Sequence, residues 1–184
     1  MQPTVLILAA GEGSRFKASG GQSDKLNALL HGQRVRDHVL AAVKAAELPY
    51  FVVEKEHLAH QPNAGMGDSI AYGVAATLGA DGWLVLPADL PLITPATLLA
   101  VAKALQTHKV VVPFHDGERG HPVGFAAPCR ADLLSLTGDE GARSVVAQHG
   151  HWRLEVDDLG AVLDVDTVQA LAQAVERFSQ TRIC

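Results

Sequence analysis

The chain is poor in cysteine, in long apolar runs and in positive charge, and each shortage excludes something. Its two cysteines, Cys129 and Cys184, are too few and too far apart for a disulfide framework or a zinc pattern. A reducing compartment is the expectation that follows, with Cys184, at the very end, expected to be mobile. No segment approaches the roughly 20 consecutive apolar residues that a bilayer-spanning helix needs. The first apolar run, Val5-Leu6-Ile7-Leu8, is short and soon followed by Gly, Arg and Lys, which is not the form of a signal peptide. The chain is therefore expected in the cytoplasm, with no membrane partner. A net charge of −5 argues against a broad nucleic-acid-binding face. It leaves room for a local cationic pocket. No Ser-His-Asp order or Cys-His pair stands out.

What is present describes a globular protein. A hydrophobic fraction of 48% against 19% charged residues supports a real core rather than disorder. The length of 184 residues fits a single domain, residues 1–184, with no repeat and no dividing linker. Strand-like and helix-like patterns alternate. Strands are expected at 4–8, 50–53, 83–86, 110–112, 123–126 and 152–156. Helices are expected at 35–46, 69–78, 94–106, 131–136, 142–149 and 167–178. In the third of these strands Pro87 ends the run. In the helix at 69–78, Ile70, Val74 and Leu78 share a face. Thr94-Pro95 reads as a cap followed by an N1 proline. This alternation predicts an α/β fold, a mostly parallel sheet with helices on both faces. Ligands then bind beyond the carboxyl ends of the strands.

The polar clusters fall where such a site would lie. Leu8-Ala9-Ala10-Gly11-Glu12-Gly13-Ser14-Arg15 follows the first strand. Its glycines let backbone N–H groups approach a phosphate closely. Arg15 and Lys25 add positive charge where a triphosphate needs it. A plain surface loop is the competing reading. The loop is neither a Walker sequence nor the complete dinucleotide fingerprint. Pro87-Ala88-Asp89-Leu90-Pro91 sets one carboxylate at a strand end, where it either caps a turn or meets a divalent cation shared with phosphates. Leu163-Asp164-Val165-Asp166-Thr167 offers two more acids. Asp166 and Thr167 suit a helix cap; Asp164 suits a metal site equally well. Gly65-Met66-Gly67-Asp68-Ser69 opens a helix and suits either a cap or a base and ribose. Arg119 and His121, in Gly117 to Val123, suit an anionic second substrate. Arg143, after Gly138-Asp139-Glu140-Gly141, suits phosphate or open surface.

Taken in order, LAAGEGSR with Lys25, GMGDS, PADLP, RGHPV, GDEGAR and LDVDT resemble the molybdenum-cofactor nucleotidylyltransferases. Within that family they are most similar to the molybdenum cofactor cytidylyltransferase branch. The resemblance covers nearly the whole chain. LAAG-x-G-x-R is shared by a wide superfamily, while GMGDS, RGHPV and GDEGAR point to the branch. It implies a three-layer α/β/α nucleotide-binding fold of the nucleotide-diphospho-sugar transferase type. It implies transfer of CMP from CTP to the phosphate of molybdopterin, with Mg²⁺ and release of pyrophosphate. It assigns Leu8, Ala9, Ala10, Gly11, Gly13 and Ser14 to the nucleotide, and Gly67 and Ser69 to base and ribose. Arg15, Lys25 and Asp89 become the catalytic set, with Asp89 on the metal beside Asp164 or Asp166. Arg119, His121 and Arg143 receive the pterin. A client molybdoenzyme or its maturation chaperone is the implied protein partner. A guanylyltransferase, a nucleotidyltransferase with another phosphorylated acceptor, and a non-catalytic cofactor carrier are the alternatives. The chain departs from the family after Arg15, where Phe16 and Lys17 replace Met and Gly. There the Gly- and Ser-rich stretch 18–24, expected to be mobile without ligand, lengthens the path to Lys25.

Overall fold

The computed structural model describes residues 2–21, 24–61 and 63–181. Cys184, and residues 22 and 23 of the Gly- and Ser-rich stretch, lie outside the described residues. Strand β1 (Thr4–Leu8) is followed by the short helix α1 (Ser14–Ala18), a small hairpin of β2 (Leu29–Leu30) and β3 (Gln33–Arg34), and helix α2 (Val35–Ala45). Then come β4 (Tyr50–Val53), α3 (Met66–Ala76), β5 (Gly82–Pro87) and α4 (Pro95–Ala104). The second half holds β6 (Val110–His115), β7 (Glu118–Arg119), β8 (Val123–Ala126), α5 (Arg130–Leu134), α6 (Arg143–His149), β9 (Trp152–Glu155) and α7 (Val168–Thr181).

Seven strands form one sheet in the order β4-β1-β5-β8-β6-β7, with β9 also paired to β6. β4, β1 and β5 run parallel, as do β6 and β9. Successive side chains of the central strands alternate between two layers, as the pleat requires. Val5, Ile7, Leu84 and Leu86 pack on one face with Val39 and Val43 of α2 and Leu98 and Val101 of α4. Leu6, Trp83 and Val85 pack on the other with Ile70 and Val74 of α3, Leu133 of α5 and Val145 of α6. This is the expected three-layer arrangement. β8 alone among the longer strands is reversed, antiparallel to both β5 and β6. The cause is local. No helix separates β6 from β8, and Asp116 and Gly117, both at positive φ, turn the chain straight back.

The helix expected at 69–78 shifts at both ends. α3 starts at Met66, three residues before Ser69, because Asp68 accepts the Gly65 N–H at 2.8 Å and closes a cap there. Leu78 leaves the buried face (52% exposed), since the helix ends at Ala76. A third small core lies beside the sheet: Phe16 of α1 packs with Leu30, Val35, Val165 and Ala174 of α7. This packing carries the loop after β1 on the C-terminal helix. Gly21 is needed there, because a Cβ would stand 2.3 Å from the Phe16 ring.

Candidate active site

Leu8 of β1 is in register with Val53 of β4 and Pro87 of β5. The carboxyl ends of the three parallel strands therefore open on one side, and a cleft of about 650 Å³ lies there, well within the range of small-molecule sites. One wall is the loop after β1, with Leu8, Ala10, Gly11, Ser14, Arg15 and Lys25. Pro87 and Asp89 form the floor, and Ser69 with the segment from Asn63 to Met66 forms the far wall. Ala9 is buried in the core instead. Gly13 does not line the cleft; it starts α1 at φ +63°, a left-handed conformation that favours glycine.

Asp89 is the focus. It follows a strand with both faces buried, and its backbone carbonyl accepts the Val165 N–H at 2.9 Å. That bond sets the segment from Asp164 to Asp166 beside it, with Val165 fully buried and an acid on either side of it in the chain. Asp166 accordingly stands beside Asp89 and its carboxylate is not the helix cap, although neither it nor Asp164 lines the cleft itself. Thr167 supplies the cap, accepting the Ala170 N–H at 3.1 Å. Lys25 Nζ donates to Asp89 Oδ2 at 2.5 Å and to Asp166 Oδ1 at 2.6 Å. Arg15 Nη1 donates to Asp166 Oδ2. Burial alone would lower the Lys25 pKa, but the Asp89 charge and the hydrogen bonds to Asp166 and Asp89 outweigh it and raise it above the ordinary value. Asp164 is pushed up, first by partial withdrawal from water and then by the charges of Asp166 and Asp89. Lys25, its side chain only 14% exposed, is thus held between two acids of the expected metal set, while Arg15 reaches Asp166 from an exposed position.

The donor set suits a hard divalent cation. Asp89 Oδ1 is buried and has no hydrogen-bond partner, and an unpartnered carboxylate oxygen in that setting is costly unless a cation reaches it. Among the described residues no set of three or more His, Cys, Asp or Glu side chains is arranged to cage a metal alone.

The far wall is built by close backbone packing. A Cβ on Gly65 would meet the Gly138 carbonyl carbon at 2.3 Å, and one on Gly67 would meet the Thr137 oxygen at 2.7 Å. Gly67 therefore does not line the cleft; it admits the loop 137–141 against α3. Asp68 also accepts the Gly138 N–H at 2.8 Å, so its carboxylate is spent on this joint. The loop in turn sends Asp139 to the cleft. Asn63, at φ 68°, Met66 and Asp139 are lining residues that sequence reasoning passed over. The signals were an Asn before an Ala-Gly turn and the acid inside GDEGAR.

The three expected acceptor residues lie apart from this cleft. Arg119 is exposed on β7 and Arg143 is exposed at the start of α6. The His121 loop is pinned elsewhere: its N–H donates to the Ala161 carbonyl at 2.8 Å, and a Cβ on Gly120 would stand 2.7 Å from the same oxygen. Burial lowers the His121 pKa, partly offset by the charge of Asp89. The ring lies within electrostatic reach of Asp89, with Nδ1 buried and unpartnered.

Comparison with known proteins bears on the family and the fold. The model of the MobA-like NTP transferase domain matches residues 5–152. The purine catabolism protein PucB of Bacillus subtilis is 34% identical over 116 residues, 60% of this chain and 56% of PucB. The molybdenum cofactor cytidylyltransferase of Escherichia coli is 24% identical over 92 residues, 50% of this chain and 47% of that protein. The chain thus spans about half the length of the curated relatives it matches. Among solved structures, Rv0371c of Mycobacterium tuberculosis in complex with manganese superposes with a TM-score of 0.75 at 22% identity, covering 96% of this chain and 99% of that one. The chain belongs to the MobA-like NTP transferase family, and it has the nucleotide-diphospho-sugar transferase-like fold. No helix among the described residues is long and apolar enough to cross a membrane.

Proposed function

We propose that the protein transfers CMP from CTP to the phosphate of molybdopterin and releases pyrophosphate. The observation that carries this reading is the meeting of Lys25, Arg15, Asp89 and Asp166 where the parallel strands end. Two cations and two acids at one point suit a reaction between two polyanions. The likeness to a cytidylyltransferase favours cytosine as the base. The likeness to PucB favours a purine-catabolic setting for the product, with a molybdoenzyme or its maturation chaperone as client.

The chemistry needs no protein nucleophile. An oxygen of the acceptor phosphate attacks the α-phosphorus of the nucleotide. One P–O bond forms as the bond from the α-phosphorus to the bridging oxygen breaks, and the electron pair leaves on pyrophosphate. The protein contributes position and charge. The backbone of the loop after β1 holds the nucleotide, with Ser69 toward base and ribose. Lys25 and Arg15 take up the charge that grows on the leaving pyrophosphate, and the Arg15 fork grips phosphate at two points. Asp89, with Asp166 or Asp164, would hold Mg²⁺, which when bound neutralises phosphate oxygens and polarises the α-phosphorus. Arg143 and Arg119, both exposed, are available to the acceptor.

The test is pyrophosphate release on mixing the protein with CTP, Mg²⁺ and molybdopterin. Release is expected only when all three are present. Release with GTP and not CTP would make the protein a guanylyltransferase. Release with CTP and a different phosphorylated acceptor would move the acceptor assignment. Tight pterin binding with no pyrophosphate from any nucleotide would make it a carrier.

A further inference from the structure

The acids suited to a cation are already occupied by cations of the chain itself. Lys25 Nζ lies between Asp89 and Asp166, 2.5 and 2.6 Å from their oxygens, and its side chain is only 14% exposed. Arg15 holds the other oxygen of Asp166. These are the two residues that the proposed reaction needs on the phosphates. Free metal and free nucleotide therefore face the same obstacle from opposite sides. A metal ion arriving alone must displace an ammonium from two carboxylates. A nucleotide arriving alone must draw that ammonium away and leave two acids uncompensated near its own charge.

Resting on the function proposed above, we infer that Lys25 is the residue that makes the donor a metal–nucleotide complex: it excludes the free divalent ion from Asp89 and Asp166 and yields them only when phosphates arrive with the metal. The exchange conserves charge. Lys25 and Arg15 pass from carboxylates to phosphate oxygens as the carboxylates pass from ammonium and guanidinium to the metal. Asp89 Oδ1, buried and without a partner beside an ion-paired Oδ2, marks the acid as incompletely satisfied by Lys25, which keeps the exchange open. The consequence is strong binding synergy: metal raises nucleotide affinity, and by linkage nucleotide raises metal affinity by the same factor.

The experiment measures Mn²⁺ binding to the full chain without nucleotide, by the electron-paramagnetic-resonance signal of free Mn²⁺, for the wild type, Lys25→Met and Lys25→Gln. The glutamine keeps hydrogen-bond donors toward the two acids and guards against loss of the fold; circular dichroism checks both variants. Each folded variant is expected to bind Mn²⁺ at least about tenfold more tightly than the wild type, a tenfold change being roughly 1.4 kcal/mol. In parallel, thermal shifts of the wild type are read with Mn²⁺ alone, the α,β-methylene analogue of CTP alone, and both together. A large shift is expected only with both. If the wild type responds to the pair but neither variant gains Mn²⁺ affinity, the role given to Lys25 is wrong and the proposed reaction stands. A wild type stabilised as much by Mn²⁺ alone as by the pair overturns the inference in the same way. If no combination shifts the wild type, the nucleotidyltransferase reading itself fails and the inference goes with it.

Discussion

Two acids of this protein are buried to the same degree, yet they are held in opposite ways. Asp89 is 8% exposed and Asp158 is 7% exposed. Asp158 accepts from the Thr94 N–H and hydroxyl and the Thr97 hydroxyl on one oxygen, and from the Gly160 N–H on the other. Every one of those partners is neutral and fixed in place. The carboxylate thereby ties the start of α4 to the turn before α7, whose Ala161 carbonyl receives the His121 loop. Asp89 has one oxygen on a movable lysine and the other on nothing. A satisfied acid of this kind is a structural joint, and an acid left half satisfied beside a cleft is a place where chemistry is deferred until a ligand comes.

That contrast is broken most sharply by exchanging the effects of two substitutions. Asp89→Asn is expected to lower turnover by about 10³ or more, since it removes charge aimed at the reacting phosphates, while the melting temperature stays within a few degrees of the wild type. Steady-state pyrophosphate release and a thermal melt on the same sample measure both. A variant that unfolds while its residual folded fraction keeps full turnover would make Asp89 the joint instead. Asp158→Ala is expected to do the reverse. It strands two backbone donors and two hydroxyls in a buried place, for a loss of about 2–4 kcal/mol. For a chain of this size that is roughly 3 °C per kcal/mol in melting temperature. Nucleotide affinity of the folded protein should hold. An equilibrium unfolding curve within 0.5 kcal/mol of the wild type, on the order of the scatter of surface substitutions, would show that the knot carries little.

The same contrast explains what could be read from residue order. The buried strands were legible because continuous apolar runs such as Trp83-Leu84-Val85-Leu86 fit only a strand covered on both faces. The loop after β1 and the acid after β5 were legible because glycines and a lone carboxylate at strand ends have few other uses. Asp166 was not. Two acids ahead of a helix look like caps, and only the bond from Val165 N–H to the Asp89 carbonyl, 76 positions away in sequence, sets Asp166 beside Asp89 and leaves the cap to Thr167. His121 misled in the other direction. Between Gly and Pro it reads as an open polar loop, but Gly120 and Ala161 meet backbone to backbone and carry the ring inward. Reversal of β8 hung on a two-residue turn, which a pattern of alternating elements does not report.

A third acid sharpens the comparison at its weakest point. Asp164 is exposed, yet its carboxyl is pushed above the ordinary range, by partial withdrawal from water first and then by Asp166 and Asp89. A raised folded-state value means that the folded chain holds this proton more tightly than the unfolded chain. Its contribution to stability is therefore present below the ordinary carboxylate value and is lost as pH rises through the raised one. At neutral pH the ionised Asp164 is a small burden on the ligand-free protein. Asp164→Asn removes that burden and should raise the melting temperature by about 1–2 °C at pH 7, a modest figure because water screens a partly exposed charge. The gain should shrink to nothing below about pH 4, where the wild-type carboxyl is itself protonated. Melts of both proteins at pH 7 and pH 3.5, without metal or nucleotide, measure it. A loss of stability at pH 7 would mean that Asp164 has a favourable partner of its own. It would then stand with Asp158 as a joint and not with Asp89 as an acid waiting for a cation.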